Sequence, residues 1–311
     1  MQILSGQVAE SEQYYARFLE AQGLRVLEAD GALWVEKRRF FLENIPPHRK
    51  LRLTNGGVNR LFLRGAAAVR YTCDESDGQH SFEYICSEKN FSVESLSADA
   101  RRRTRRGLEL CEIRPIDFDL LADCGCSVNR STLARQGRSG VTWVTDETLW
   151  KKYMRACKNI PTVEAFGAFV DGRFVGYSMS VIVNEYSYLH HTQAYTEDLK
   201  HSPINALTFT VTREMLRREN IQHVSQGLES FASLPDVERF KLSMGFRKKT
   251  LGRRVVVNPI LKPIFHPVSA WLIKNTIGLR HSGAAEDFAT FTDAIRARTR
   301  TTGVSSEPAR K

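Results

Sequence analysis

The spacing of apolar and polar residues predicts one helix and a two-stranded hairpin near the start of the chain. In VAESEQYYARFLEAQG the aromatic and aliphatic residues recur at helical intervals, and Gly23 is a usual helix terminator. The next stretch, LRVLEADGALWVEKRRFFLENI, contains two apolar runs separated by Asp30 and Gly31, which favour a tight turn. This part of the chain therefore predicts a helix, a strand, a turn and a second strand.

The same order of elements recurs after residue 144. TDETLWKKYMRACKN predicts a helix that begins at Thr145 or Asp146. VEAFGAFVDGRFVGYSMSVIV predicts a hairpin that turns at Asp171 and Gly172. Because each Asp-Gly pair follows a predicted helix, the pattern favours two related halves of one α/β design.

The segment HSPINALTFTVTREMLRREN predicts the most regular helix of the chain. Ser202 suits the N-cap, and Pro203 suits the first helical position. The apolar stripe of this helix consists of Ile204, Leu207, Val211 and Met215. An aromatic-rich strand, EYSYLHHTQAY, precedes it. A strand in IQHVSQGLES, a short helix in DVERFKLSM and final strands in FRKKTLGRRVVVNPI follow it.

Five arginines occupy the six positions 101–106, in the segment ARRRTRRGLELCEI. On a helix, Asp99 lies three and four positions before two of them, and Glu109 lies three and four positions after two others. Arg101 is left without a local acid. The stripe predicted to face another element consists of Ala100, Thr104, Leu108 and Cys111. Three interpretations follow for the segment: direct nucleic-acid binding, a cleft wall that faces phosphates, or a structural bridge between the halves.

Composition narrows the class of protein. The 311 residues include 45 Lys and Arg against 35 Asp and Glu, a formal charge of +10, which favours polyanionic partners. The six cysteines occur in a chain long enough to form a core without disulfides, so we expect reduced thiols in a cytoplasmic protein. Cys124 and Cys126 form the only close pair, and neither a second pair nor histidines at ligand spacing accompany it. We therefore expect no metal site.

The C-terminal part of the sequence has a different character. NPILKPIFHPVSAWLIKNTIGL is apolar but interrupted by lysines, a histidine and prolines, so it predicts no transmembrane segment. We interpret residues 259–285 as a helix that either docks on the protein or lies at a membrane interface, so peripheral membrane contact stays an alternative. Residues 286–311 are polar and basic and predict a flexible tail.

The order strand, Asp-Gly hairpin, long strand and helix opening on SPINAL resembles the core of the GNAT acyltransferases. Three segments sharpen the resemblance toward the FemAB-like peptidyl and aminoacyl transferases. SADARRRTRRGLELCEIRPI is similar to the basic segment that bridges the two halves in that family. The SPINAL segment and VERFKLSMGF are similar to its Ser-Pro-Asn-x-Leu and Phe-Lys-x-x-x-Gly-Phe segments. Together these stretches cover roughly residues 95–250, in the family's order.

The resemblance implies an α/β protein with a tandem GNAT (acyl-CoA N-acyltransferase) fold, in which mixed central sheets are flanked by helices. We predict a degenerate N-terminal half at 1–95, a basic bridging helix and linker at 96–140, and an acyltransferase half at 141–258. The docking helix and the tail complete the chain. The sequence departs from ordinary GNAT enzymes because YTEDLKHSPIN, without a glycine, replaces their phosphate-binding loop.

Candidate donor-binding residues cluster at the start of the SPINAL helix. Its first N–H groups and the helix dipole favour an anion, so we expect phosphates there. The candidate residues are Lys200, His201, Ser202, Ile204 and Asn205, together with Arg101 and Arg105. Each of these positions also fits an ordinary capped helix or a solvated charge.

Three residues are candidates for the chemistry. The resemblance implies a substrate- or phosphate-contacting role for Lys241. His190 and His191 titrate near neutrality, and because adjacent strand residues point to opposite faces we expect only one, His191, to face the cleft. Glu185, Glu197 and Glu229 are the carboxylate alternatives, and Glu229 is preferred because it is closest to the FemAB-like position that follows a glycine. The reaction could also proceed without a protein base.

These observations predict an acyltransferase that moves an acyl group from acyl-CoA, such as acetyl-CoA, to an amine acceptor. The acceptor class is a small molecule or a peptidoglycan- or saccharide-type amine, with no DNA partner. The alternative donor is aminoacyl-tRNA, as the FemAB-like resemblance implies. A different class of function remains open: a non-catalytic module whose basic cleft binds RNA or an anionic surface.

Overall fold

The computed structural model describes residues 8–138, 143–229 and 235–261. The α-helices in these ranges are α1 (Glu10–Ala21), α2 (Asn55–Leu63), α3 (Ala98–Leu110), α4 (Phe118–Arg135), α5 (Glu147–Lys158), α6 (Pro203–Arg217) and α7 (Pro235–Ser243). The strands are β1 (Arg25–Ala29), β2 (Ala32–Arg38), β3 (Phe41–Ile45), β4 (Ala68–Cys73), β5 (Gln79–Cys86), β6 (Glu112–Pro115), β7 (Val163–Val170), β8 (Arg173–Val183), β9 (Tyr186–Ala194), β10 (His223–Leu228) and β11 (Arg247–Val257). The predicted docking helix, except for its first three residues, and the predicted tail lie outside the described residues.

All the described strands form one sheet, in the order β1-β2-β3-β4-β11-β5-β10-β9-β8-β7-β6. The β3/β4 and β9/β10 pairs are parallel, and the other neighbours are antiparallel. β11, the last of the described strands, lies between β4 and β5. The five-part division along the chain stays a prediction, and in the structure its first and third parts share strands of a single sheet.

Helices cover both faces of the β7–β9 region. Neighbouring residues of β7 and β9 belong alternately to two apolar clusters: Ala165 and Tyr188 belong to one, and Phe166 and Leu189 to the other. Because successive strand side chains point to opposite faces, the two clusters lie on opposite sides of the sheet. The first cluster contains residues of α1, α4 and α5, and the second contains residues of α3 and α6. A third cluster packs α2 against β2 and β4.

Both predicted Asp-Gly hairpins are present. Asp30 and Asp171 have φ values of 55° and 50°, and the glycine after each is also left-handed. These are the conformations that a two-residue hairpin turn requires. The hairpins join β1 to β2 and β7 to β8.

The predicted cap of α6 is wrong in its detail. Pro203 begins the helix as expected, but the Ser202 side chain makes no capping hydrogen bond. Ser202 ends a 3-10 helix, Thr196–His201, and donates its N–H to the Leu199 carbonyl. It therefore has a left-handed backbone, φ 59°, instead of the extended one from which a serine caps a helix.

Candidate active site at the fork of two strands

β9 and β10 form a fork. They pair only at residues 186–188 of β9 and 223–225 of β10, after which β9 continues without β10 as its neighbour. On its other side, the pairing of β10 with β5 is interrupted between Ser225 and Leu228. Gly227 lies in this interruption with φ 85°, a conformation that favours glycine. The divergence of the two parallel strands opens space in the sheet, and the Gly227 N–H in the interruption donates to the Ser225 hydroxyl at 3.0 Å.

A cavity of about 380 Å³ lies at this fork. Its walls come from α1, β2, β3 and β4 on one side and from β9 and β10 on the other. The lining residues are Tyr15, Lys37, Arg38, Glu43, Pro47, Arg70, Tyr188, Leu189, His190 and residues 226–229. Both predicted halves of the chain therefore contribute to one concave site of the size that binds small molecules.

Cations outnumber carboxylates around the buried end of the cavity. Glu43 is 4% exposed and contacts Arg70, the Lys37 Nζ at 3.2 Å and the Arg253 guanidinium at 4.0 Å. Burial by itself raises the pKa of Glu43, but the three cations outweigh it and bring the pKa down to about 2. Among the residues that line the cavity, Lys37, Arg38 and Arg70 face Glu43 and Glu229, and this excess of one positive charge suits a ligand with an anionic group.

The two adjacent histidines lie in the same aromatic cluster, contrary to the expectation that they face opposite ways. His191 pairs with Met179 and Leu189 pairs with Ser180, so His190 is the extra residue of a β-bulge. The His190 ring is 4.7 Å from the Phe18 ring, and the His191 ring is 6.0 Å from the Trp143 ring. The bulge interrupts the alternation of side chains that the prediction assumed.

Of the two histidines, His190 lines the cavity and His191 does not. The His191 Nε2 atom instead lies 3.5 Å from the Tyr153 hydroxyl. Burial lowers the pKa of His190 to about 3, with a smaller effect from the neighbouring histidine, and lowers the pKa of His191 to about 4. Both rings are therefore neutral at physiological pH.

Glu229 and Lys241, the other two predicted catalytic residues, lie at the β10 side of the cavity. Glu229 lines it and accepts a hydrogen bond from the Ser81 hydroxyl at 2.9 Å. Lys241 donates to the Gln226 carbonyl at 2.7 Å and lies 4.4 Å from the centre of the Tyr84 ring. Burial lowers the pKa of Lys241. Lys241 thus contacts the cavity wall through the backbone of the interrupted strand.

The predicted donor-binding residues occupy a different place. None of Lys200, His201, Ser202, Ile204, Asn205, Arg101 and Arg105 lines the cavity at the fork. The His201 Nδ1 atom is 3.4 Å from an oxygen of the buried Asp198 carboxylate. The Asn205 amide donates to the Met244 sulfur at 3.3 Å.

Part of the backbone before α6 is unavailable to an anion. A phosphate cradle needs free backbone N–H groups. Asp198 and Ser202 donate their N–H groups to carbonyls three positions earlier. Pro203 has no N–H group to donate.

Several of the α3 arginines have partners, and some of these partners differ from those that the sequence indicated. Asp99 binds two of them, Arg102 at 2.7 Å and Arg103 at 2.9 Å, as predicted. Arg105 pairs with Glu94 at 3.2 Å, an acid outside the helix. Arg101, which the sequence left without a partner, donates to the carbonyls of Val93, Glu94 and Leu96, a turn just before α3.

α3 packs closely against the start of α6 through Gly107. A Cβ atom at this position would lie 2.6 Å from the Ser202 oxygen and 2.9 Å from the Ala206 Cβ. The predicted stripe is wrong at Leu108, which is 38% exposed, because Gly107 occupies the contact position. α3 thus covers the α6 end at which we had expected phosphates.

Sequence reasoning missed most of the cavity wall. Lys37, Arg70 and Glu43 come from strands of the first part of the chain, which the resemblance treats as degenerate. A signal was present, since Glu43 and Arg70 are charged residues inside the otherwise apolar runs FFLENI and AAAVRYTC. No sequence pattern indicated a role for His48 and Tyr188, whose side chains are hydrogen-bonded to each other at the cavity.

Comparison with solved structures identifies the fold. FemX aligns with 81% of this chain and 93% of its own, with a TM-score of 0.57 and 11% identity. This chain has the FemX fold. The predicted α/β class, with a mixed sheet flanked by helices, is confirmed. The FemAB-like resemblance is likewise confirmed as one of fold.

Two further structures share the FemX-like fold. L-PGS from Bacillus licheniformis aligns with 95% of this chain and 99% of its own, at a TM-score of 0.55 and 12% identity. The C-terminal domain of a putative lysylphosphatidylglycerol synthetase from Agrobacterium fabrum aligns with 84% of this chain and 91% of its own, at a TM-score of 0.54 and 10% identity. No protein-family model matches the sequence, and no curated protein does. At such identities the likeness concerns the fold alone.

Two observations bear on partners. Among residues 8–138, 143–229 and 235–261, no helix is both long enough and apolar enough to cross a bilayer. The same part of the chain holds no group of three or more His, Cys, Asp and Glu side chains arranged to bind a metal ion. All six cysteines are described, and they are free thiols.

Proposed function

We propose that this chain is an acyltransferase whose reaction takes place at the fork of β9 and β10, with an aminoacyl ester of tRNA as donor. The observation that carries the proposal is the cavity between the diverging strands, to which both parts of the FemX-like fold contribute. An acyl group held at such a fork would lie between the two diverging strands, next to the interruption of β10 at Gly227. Concave sites where strands separate are common positions for ligands.

The segment before α6 supports an aminoacyl donor over acyl-CoA. Asp198 and Ser202 use their N–H groups within the 3-10 helix, and α3 packs against the Ser202 carbonyl through Gly107. This place therefore offers a diphosphate fewer backbone donors than a glycine-rich loop would offer. The polyanionic part of an RNA donor would instead lie along the outer, basic surface of the protein, consistent with the formal charge of +10.

The excess of cations around Glu43 supports an acceptor that carries an anionic group beside its nucleophile. Lys37, Arg38 and Arg70 line the cavity, and an anion between them would offset their charge. Precursors of peptidoglycan have this chemistry, and so do anionic lipid headgroups. One neighbour in fold is named for lysylphosphatidylglycerol.

The test offers the full chain two labelled donors in parallel, a mixture of tRNAs charged with 14C-amino acids and 14C-acetyl-CoA. A uridine diphosphate-linked muropeptide and vesicles containing phosphatidylglycerol serve as acceptors. We expect label to pass from charged tRNA to one acceptor and none to pass from acetyl-CoA. Transfer from acetyl-CoA alone would replace the proposed donor by acyl-CoA.

A pair of adjacent arginines provides the matched control. Arg38 lines the cavity, whereas the Arg39 guanidinium lies 4.9 Å from the Phe40 ring outside it. We expect Arg38→Met to raise the KM for the acceptor roughly tenfold, the cost of one charge-assisted contact, and Arg39→Met to leave it unchanged. Absence of transfer from both donors, together with salt-sensitive binding of bulk RNA, would instead indicate a non-catalytic RNA-binding module.

A further inference from the structure

Tyr188 occupies the apex of the fork. It is the last residue of β9 that pairs with β10, opposite Ser225, and it lines the cavity. Its side chain is 3% exposed and stacks on the Tyr15 ring at 5.7 Å. A tyrosine at this position places a hydroxyl group beside the point where the two strands separate.

His48 holds that hydroxyl. The His48 Nδ1 and the Tyr188 Oη are 2.5 Å apart, a hydrogen bond that joins the loop after β3 to β9. The His48 ring is fixed in turn because it stacks on Tyr186 at 4.0 Å with an interplanar angle of 5°. The Tyr186 hydroxyl accepts a hydrogen bond from the Lys249 Nζ at 2.8 Å. The hydrogen-bonded pair of His48 and Tyr188 is therefore fixed by contacts from two strands. It lies next to Pro47, which also lines the cavity.

Resting on the proposed function, we propose that the Tyr188 hydroxyl is a catalytic hydrogen-bond donor to the oxyanion of the acyl-transfer intermediate, and that His48 is its positioning residue. In this arrangement the Nδ1–H group of His48 donates to the Tyr188 oxygen. The phenol hydrogen is then left for the substrate. Donors fixed in advance toward a developing negative charge stabilise it without reorganisation.

The surroundings favour neutral forms of both groups. Burial lowers the pKa of His48 to about 3, with Lys249 adding to the effect. Burial likewise raises the pKa of Tyr188 above its ordinary value. A neutral imidazole carries one N–H group, and a protonated phenol carries one O–H group. The proposed arrangement requires both, because His48 donates to Tyr188 and Tyr188 donates to the substrate.

The reaction balances without a net proton change at Tyr188. The nucleophilic atom of the acceptor, an amine nitrogen or the glycerol hydroxyl oxygen of phosphatidylglycerol, forms a bond to the carbonyl carbon of the donor ester. The carbonyl oxygen becomes an oxyanion that accepts the Tyr188 hydrogen bond. When the intermediate collapses, the bond between the carbonyl carbon and the ribose oxygen breaks. The proton lost by the nucleophilic atom ends on that ribose oxygen. Tyr188 and His48 return to their starting states.

The first test replaces Tyr188→Phe, which removes one oxygen atom and keeps the ring. We expect kcat to fall about 100-fold with KM within about twofold, because the lost contact exists only in the transition state. The pH profile of the remaining activity should keep its shape, since no titrating group is removed. Tyr177→Phe is the matched control, because Tyr177 is equally buried and donates instead to Asn129 at 2.6 Å.

Variants of His48 test the positioning role. His48→Leu removes the imidazole donor and leaves the backbone N–H of residue 48, which also bonds to Tyr188, so it should lower kcat about tenfold. His48→Asn retains a side-chain N–H near the Nδ1 position and should restore most of the activity. A Tyr188→Phe variant that keeps the wild-type kcat, or that loses no more than Tyr177→Phe, would overturn the proposal. A displaced pH profile would also overturn it, since Tyr188 would then act as a base.

A measurement on the free protein separates this inference from the proposed function. Absence of transfer by the wild-type chain from either donor counts against the function. The tautomer of His48 is measured independently by 15N chemical shifts, and the inference requires the proton on Nδ1. A proton on Nε2 would mean that Tyr188 donates to His48, and the oxyanion role would fail even in an active enzyme.

Discussion

Lys241 connects the Phe-Lys segment to the fork through a single hydrogen bond. Its Nζ donates to the Gln226 carbonyl where the pairing of β10 is interrupted, so we expect it to fix the shape of that cavity wall. Lys241→Met keeps the aliphatic stem but removes the donor. We expect a loss of about 1–2 kcal/mol in the free energy of unfolding and, because the wall shifts, about a tenfold loss in kcat/KM.

Lys152→Met on α5 is the control for Lys241→Met. Lys152 is exposed and lies outside the cavity wall, so both stability and transfer should stay at wild-type values. Urea denaturation and the labelled-donor assay measure the two effects. If Lys241→Met behaved like Lys152→Met, the hydrogen bond to Gln226 would have no functional consequence.

Glu43 gives the folded chain a pH dependence of known sign. Its pKa is about 2 in the folded state and about 4.5 when unfolded, so the unfolded chain binds more protons between these values. The stabilisation that Glu43 provides is fully present above about pH 4.5, and it is lost as the pH falls toward 2. Neutral pH therefore retains the whole contribution.

We expect Glu43→Gln to destabilise the chain at pH 7 by roughly 3–5 kcal/mol, because it leaves the buried Arg253 and the half-buried Arg70 beside a neutral group. The difference from wild type should narrow at pH 3, where wild-type Glu43 has lost part of its advantage. Chemical denaturation at the two pH values measures it. A difference that is constant with pH would contradict the depressed pKa.

At the scale of elements, the crossing of α3 and α6 depends on the absence of a side chain at Gly107. A Cβ there would lie 2.6 Å from a backbone oxygen, so one helix would have to move. We expect Gly107→Ala to lower the free energy of unfolding by about 1–3 kcal/mol despite the better helix propensity of alanine. Urea denaturation of the full chain tests the expectation.

Gly56→Ala on α2 is the corresponding control. A Cβ atom added at Gly56 would have the Thr54 hydroxyl oxygen as its nearest neighbour, at the ordinary contact distance of 3.8 Å. Alanine at this helical position should be neutral or stabilising by up to about 1 kcal/mol. Equal effects of the two substitutions would mean that α3 does not pack on α6 at Gly107.

The elements were largely predictable because local signals define them. The helix that Gly23 ends, both Asp-Gly hairpins and the helix at SPINAL are present in the structure. The errors concern relations between elements. Ser202 does not cap α6, because the segment before it is itself helical, and His190 breaks the alternation of β9, because a bulge inserts it.

At the scale of the whole molecule, β11 joins strands that are far apart in sequence into one sheet. It pairs with β4 over six residues and with β5 over seven, so the two predicted halves share its hydrogen bonds. We expect them to unfold together. In hydrogen exchange, the most protected amides of β4 and β8 should open with the same free energy.

Gly252→Ala tests this coupling, because a Cβ at Gly252 would collide with the Asp74 backbone oxygen. The substitution should lower the protection of β8, which is remote in the strand order, as well as that of β4. A loss of hydrogen-exchange protection that is confined to β4 would indicate that the two predicted halves open separately.

The sequence by itself determined the local elements, the basic charge and the order of segments that resembles FemAB-like transferases, because periodicity, turn chemistry and charge are properties of neighbouring residues. Only the tertiary structure decided which side chains meet. Glu43, Arg70 and Arg253 are far apart in sequence and converge because β11 inserts beside β4. His48 reaches Tyr188 across 140 positions for the same kind of reason, since strand order and the divergence of β9 from β10 fix distances that no local pattern encodes.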